Sequence, residues 1–253
     1  MRIVSLVPSL TRTLFDFGLT SQSIVGRTPW CIHPAGQVEE VPVVGGTKTP
    51  TLSKILAAKP DIVVMDKDEN PKQVYEWCLN QGLKVFVCDV RHPRDVPDML
   101  RDLGHAVQCV QAGEQLAKQL EEVLHAITPA QHGIGVPLIW HSPLMSANAS
   151  TYAGGMLTTL GFQIPHFGGP ETGYPEVTPE EMVKAHVTDI FLSSEPHAFT
   201  DQQGRDLLTQ FSALQANVPR IHFIDGEDLT WMGSHTAQGL LNLRMSLANA
   251  SPR

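Results

Sequence analysis

Short β-branched runs alternate along this chain with stretches whose apolar residues recur every three or four positions, the pattern of parallel strands joined by helices. Arg2–Val7 reads as a strand, and Leu10, Leu14 and Phe17 share one face of a helix that stops at Gly18. Ile24–Val25 and Val41–Val44 read as short strands, Leu52–Ala58 as a helix, Asp61–Met65 as a strand, Lys72–Asn80 as a helix and Lys84–Asp89 as a strand. From Asp95 to Ile127 the pattern is helical, with a break expected between Gly104 and Gly113; Leu116, Leu120, Val123, Leu124 and Ile127 then line one amphipathic face. Strands resume at Leu138–His141, Asp189–Ser193 and Arg220–Asp225, and a last helix covers Ser234–Leu247.

The two halves echo each other. Leu52–Met65 (LSKILAAKPDIVVM) aligns with Glu180–Ser193 (EEMVKAHVTDIFLS), matching Ile55, Ala57, Asp61 and Ile62 to Val183, Ala185, Asp189 and Ile190, as a duplicated lobe would. The expected fold is α/β: two Rossmann-like lobes with parallel sheets, residues 1–105 and 131–253, joined by a long connecting helix over residues 106–130.

Composition bounds the function. With 42% hydrophobic and 17% charged residues the 253-residue chain can bury a core. A formal charge of −8 and scattered basic residues speak against nucleic acid. The longest apolar runs are of strand length, so no membrane span is expected. Cys31, Cys78, Cys88 and Cys109 form no CxxC, which leaves reduced thiols as the default. No positive, apolar, small-residue leader opens the sequence, so the expected location is cytoplasmic, or periplasmic if the N-terminus is an engineered truncation.

The segments RIVSLVPSLTRTLFDFGL, VVGGTKTPTLSKILAAKPDIVV and QGLKVFVCD, followed in order by GGMLTTLGF, YPEVTPEEMV, IFLSSEPHAF and DGEDLTW, resemble the helical-backbone (class III) substrate-binding proteins. The resemblance is closest to their cobalamin and ferric-siderophore receptor branch and runs nearly the whole chain. It implies a ligand cleft between the lobes, at the loops after the carboxyl ends of the strands, with modest lobe closure. Members that dock to an ABC permease place a Glu near the start of one helix in each lobe. Here Glu180 or Glu181 fits the second position, but Ser53 occupies the first, which speaks against permease docking.

The strand-end loops are rich in aromatic and imidazole groups. Trp30, His33, Lys48, Tyr174, His197 and Trp231 are the expected ligand-binding residues, the aromatics offering broad apolar faces to a planar macrocycle and the polar groups meeting its edge or its metal. Cys31, His141, Glu195 and His235 are the candidate metal ligands. Gly45-Gly46-Thr47-Lys48 lacks the phosphate-loop spacing and reads as a tight turn. No GxSxG elbow or HExxH helix is present, so no catalytic residue or catalytic cofactor is assigned. The expected activity is reversible binding of a corrinoid, cobalamin or another metal-bearing macrocycle or chelate. The alternatives are a haem, ferric-siderophore or metal-ion binder, a cofactor-modifying enzyme on the same scaffold, and a scaffold that has lost its ligand and binds a partner.

Overall fold

The computed structural model describes residues 1–129, 131–168 and 173–249. Ala130, where the connector is expected to end, lies outside them. The chain divides into two compact units, one made of Met1–Val90, Asp95–Glu122 and Met232–His235, the other of Arg91–Arg94, Val123–Trp231 and the chain from Thr236.

The first unit is built on β1 (Ile3–Ser5), α1 (Pro8–Asp16), β2 (Ile24–Gly26), α2 (Leu52–Ala57), β3 (Ile62–Asp66), α3 (Lys72–Asn80), β4 (Lys84–Cys88), α4 (Val96–Ala106) and α5 (Val110–Ala126). Its sheet has the order β2-β1-β3-β4, and every pairing is parallel. All four strands therefore end along one edge. β3 is buried at all five positions, as a central parallel strand must be when helices cover both faces. Val4, Leu6, Val44, Ile55, Val63, Met65, Val74 and Cys78 form its core. Pro8 opens α1 at a position where a missing N–H costs nothing, and Gly18, at φ 85°, follows its end.

The second unit contains β5 (Gly135–Trp140), β6 (Met145–Ser146), α6 (Tyr152–Thr159), α7 (Pro179–Lys184), β7 (Asp189–Ser193), α8 (Asp201–Ala213), β8 (Arg220–Ile224), α9 (Gly226–Thr230) and α10 (Thr236–Asn249). The order is β6-β5-β7-β8; β5, β7 and β8 run parallel, and β6 pairs antiparallel with β5. The second sheet is thus mainly rather than wholly parallel. Thr178/Glu181 and Thr200/Gln203 close capping boxes on α7 and α8.

One sequence expectation about the first sheet is corrected. Val41–Val44 forms no strand; only isolated bridges, Arg27 to Val43 and Gly45 to Pro50, tie this stretch down. The helical break falls at Val107–Cys109, with Gln108 at φ 63°, inside the Gly104–Gly113 stretch where it was expected. Both glycines lie inside their helices because the backbones touch there: a Cβ on Gly113 would sit 2.6 Å from Leu100 O, and one on Gly104 3.1 Å from the Gly113 Cα.

The internal echo is real as helix–turn–strand but one residue out of phase. Thr188 and Asp189 both donate their amides to Ile134 O, as Asp61 and Ile62 do to Arg2 O. Asp189 therefore stands where Ile62 stands, not where Asp61 does. The side chains follow: Asp61 accepts the Arg2 amide at its sheet's entry, whereas Asp189 is fully buried in β7.

Candidate functional site at the carboxyl ends of the strands

In open α/β sheets the helices depart in opposite directions at a switch point, leaving a crevice outside the carboxyl ends of the strands. In the first unit this point lies between β1 and β3, and Asn70 organises it. Its Nδ2 donates to Leu6 O (3.2 Å) and Thr47 O (3.0 Å), and its Oδ1 accepts the Asp66 amide (2.9 Å). One buried side chain thus ties together the ends of β1 and β3 and the Thr47 turn. Asp66 is also buried, and its Oδ1 accepts the amides of Asp68 (2.8 Å) and Glu69 (3.0 Å). Burial pushes its carboxyl up to about 6; those amide hydrogen bonds oppose the rise without cancelling it.

The loop after β2 is anchored by Cys31. Its Sγ lies 3.1 Å from Thr11 Oγ1 and 3.2 Å from Thr28 Oγ1, and Arg27 Nη1 donates to Thr28 O and Cys31 O. Burial raises the thiol pKa, against the lowering effect of those hydroxyls and of Arg27, so the sulfur is a protonated anchor at neutral pH. On either side of it Trp30 and Ile32 are 64% and 50% exposed. Such exposure of an indole is the informative observation, since tryptophans are mostly buried. His33, on the same loop, is half-buried.

Gly45, at φ 115°, makes the expected tight turn: a Cβ there would lie 2.5 Å from the Thr51 amide nitrogen. Lys48 is exposed, with its ammonium donating to Asp68 O.

In the second unit the switch point lies between β5 and β7. Trp140, 41% exposed, and exposed His141 end β5; the segment from Ser194 to Thr200 follows β7. His197 gathers the cluster. Its ring centroid is 5.6 Å from that of His141 with the planes 17° apart, and it meets Trp140 at 5.7 Å and Phe199 at 4.8 Å edge to face. Ser193 Oγ donates to Glu195 O (2.6 Å), the Gly226 amide donates to Ser194 Oγ (2.8 Å), and Trp231 Nε1 donates to Glu195 Oε1 (2.6 Å). Gly226 is obligatory, because a Cβ would stand 2.2 Å from Glu195 Cγ.

Trp231 is 7% exposed. It is built in as the support of Glu195 rather than as an open face. Tyr174 is 39% exposed beside β6, where Asn148 N donates to Gly173 O and Ser146 N to Pro175 O. Among the metal candidates, Cys31 is the hydroxyl-bonded anchor, Glu195 is tied to Trp231, His235 is buried and His141 is exposed. Among the described residues no group of three His, Cys, Asp or Glu side chains gathers closely enough to hold a metal ion. Sequence reasoning placed Asn70 and Gly226 in strand-end loops and Phe199 in a family motif, but assigned none of the three a role.

A shallow pocket of about 270 Å³ lies at the ends of β7 and β8, lined by Leu192, Ser193, Ser194, Phe199, Phe223, Ile224 and Asp225. That is below the roughly 300–1,000 Å³ of sites that enclose a drug-sized ligand. No described helix is long and apolar enough to cross a membrane.

Two α/β units whose aromatic and imidazole side chains crowd the carboxyl ends of parallel strands define a class, the two-lobed α/β binding proteins. The chain belongs to the periplasmic binding protein family, which it matches over residues 3–217. It is 22% identical over 211 residues to the vitamin B12-binding protein of Pectobacterium atrosepticum, covering 80% of this chain and 75% of that relative. With the vitamin B12-binding protein of Vibrio cholerae serotype O1 it shares 23% over 219 residues, 85% of this chain and 78% of the other.

Among solved structures, the periplasmic vitamin B12 binding protein BtuF of Vibrio cholerae superposes with a TM-score of 0.79 at 18% identity, over 100% of this chain and 98% of that one. The periplasmic haem-binding protein BhuT in complex with two haems gives 0.77 at 20% identity, over 98% of each chain. The superpositions establish the fold, and the family match over residues 3–217 establishes the substrate-binding family expected from the sequence.

Proposed function

We propose that this protein binds a corrinoid reversibly and without turnover, through the loops at the carboxyl ends of its strands. The observation that carries the reading is the pair of exposed indoles, Trp30 after β2 and Trp140 at the end of β5, in a chain whose other strand-end tryptophan, Trp231, is buried. Exposed indoles at strand ends offer broad apolar faces that a planar ligand can cover. The curated relatives named for vitamin B12 support the same ligand class.

Within the second unit, charge favours a corrinoid over haem. Residues 141–151, 194–200 and 225–231 contain no Lys or Arg, but include Glu195, Asp225, Glu227 and Asp228. A haem brings two propionate carboxylates into such a field, whereas the amide-bearing rim of a corrin brings hydrogen-bonding groups without charge. Glu181 is occupied in the α7 capping box, which leaves exposed Glu180 as the acidic group at that helix, and exposed Ser53 stands on α2. That asymmetry supports a receptor whose delivery partner is not a symmetric permease.

The test is a titration with hydroxocobalamin, haem and a ferric siderophore, followed by tryptophan quenching and the visible spectrum. Cobalamin should bind at micromolar concentration or tighter and ahead of haem, and Trp30→Ala should weaken it by about 1–3 kcal/mol without shifting the melting temperature. No response to cobalamin, or unchanged affinity in Trp30→Ala, refutes the reading.

A further inference from the structure

We infer that Asn70 is a positioning residue for Trp30: from inside the first unit it fixes the turn against which the exposed indole lies. The inference rests on the corrinoid reading for what the indole is positioned to meet, and on the geometry of the first unit for the positioning itself.

Residues 45–50 form the turn. Backbone bonds hold its base: the Thr51 amide donates to Val44 O (2.7 Å), and the Val44 amide donates to Arg27 O (2.9 Å), on the segment that leads from β2 to Trp30. Side chains hold its tip. Asn70 Nδ2 donates to Thr47 O (3.0 Å), and the Lys48 ammonium donates to Asp68 O. Lys48 is exposed, so water competes for its bond; Asn70 is 6% exposed, and its bonds are shielded from that competition.

Asn70 is itself held on both central strands of the sheet. Its amide donates to Asp66 O (3.0 Å), its Oδ1 accepts the Asp66 amide (2.9 Å), and its Nδ2 also donates to Leu6 O (3.2 Å), just past β1. One side-chain amide therefore carries the fixed ends of β1 and β3 to the tip of the turn.

The turn in turn backs the indole. A Cβ on Gly46, next to Thr47, would lie 4.0 Å from Trp30 Nε1, an ordinary van der Waals separation. At 64% exposure Trp30 has much of its surface in water, so what orders it must come from the side facing the protein. A side chain already held in its bound position costs less to immobilise when a ligand arrives than one that is free to turn.

The experiment labels the protein with 5-fluorotryptophan and assigns its four tryptophan resonances by ¹⁹F NMR of single Trp→Phe variants. Asn70→Ala should shift the Trp30 resonance and narrow it as the ring gains freedom, with the Trp140 resonance unchanged. Gly46→Leu, which reaches the indole from the turn and leaves Asn70 in place, should move the same resonance. Leu103→Ala, a cavity on α4 in the same unit, controls for lost stability and should leave it where it is. In titrations with hydroxocobalamin, Asn70→Ala should weaken binding at least about fivefold, the lower bound for a residue that matters to an interface. In the Trp30→Ala background the same change should have less than about a twofold effect. An unchanged Trp30 resonance in folded Asn70→Ala overturns the inference, as do equal losses of affinity with and without the indole. Asn70→Asp, which keeps Oδ1 for the Asp66 amide and exchanges the Nδ2 donor for an oxygen, gives the same test if Asn70→Ala does not fold. If the wild type does not bind cobalamin, the corrinoid reading falls and the resonances alone decide the positioning.

Discussion

Asp66 ends the central strand of the first sheet as a buried carboxyl, 4% exposed, and the folded protein raises its pKa from 3.8 to about 6. Burial disfavours the carboxylate, and the charges of Asp68 and Glu69 push the same way; the amide bonds to its Oδ1 recover only part. The folded state thus binds this proton more tightly than the unfolded state does. The stability it supplies is fully present below about pH 3.8 and is lost as the pH rises through about 6. The interval from 3.8 to about 6 corresponds to roughly 3 kcal/mol.

Asp66→Asn keeps Oδ1 as the acceptor for Asp68 and Glu69 and cannot ionise. Its new amide donor enters a buried position, and leaving that donor poorly paired costs about 1 kcal/mol. The variant should therefore match or trail the wild type at pH 4 and exceed it by about 2 kcal/mol at pH 8. Urea unfolding midpoints across this range are the assay. The two stability curves should separate by roughly 1.4 kcal/mol per pH unit between about 4 and 6 and run parallel above that. A variant no more stable at pH 8 than the wild type, or a difference that does not change with pH, refutes the reasoning.

Two further predictions rest on groups away from the strand-end loops. Asp189 is fully buried at the start of β7; burial pushes its carboxyl up, but hydrogen bonds from His222 (2.7 Å), Arg220 (3.0 Å) and Thr188 (2.7 Å) outweigh this and hold it at about 2. Its stabilisation is present above about pH 3.8 and lost as the pH falls through about 2, so Asp189→Asn should cost roughly 2–4 kcal/mol at pH 7 by urea unfolding, less at pH 3, with ligand affinity unchanged. Gly233, at φ 107°, has no room for a Cβ, which would stand 2.3 Å from Thr13 Oγ1. Gly233→Ala should lower stability by at least about 2 kcal/mol in a thermal melt; an unchanged melt contradicts that close approach.

Much of the architecture was legible in the chain because local patterns dictate it. The alternation of buried strands with amphipathic helices marked α3 and β7 to the residue, and the family motifs located the strand ends. Elements whose pattern is weak escaped: the two-residue β6 and the polar helix α8, whose only announcement is the Thr200/Gln203 capping box.

What the sequence by itself determined was which residue types reach the carboxyl ends of the strands, since period and turn chemistry are local properties. The tertiary structure decided what each of them does there. Cys31 became an anchor because two hydroxyls hold its sulfur while burial keeps it a thiol, and Trp231 became a support because its indole N–H meets Glu195. The Asp61–Asp189 echo fell out of phase because register is set by pairing across the sheet, where a shift of one residue exchanges a surface position for a buried one. Asn70 joined β1, β3 and the Thr47 turn, and His141 met His197, only once parallel pairing had placed strands distant in sequence side by side. No local pattern encodes such meetings, because they follow from burying two sheets against their helices.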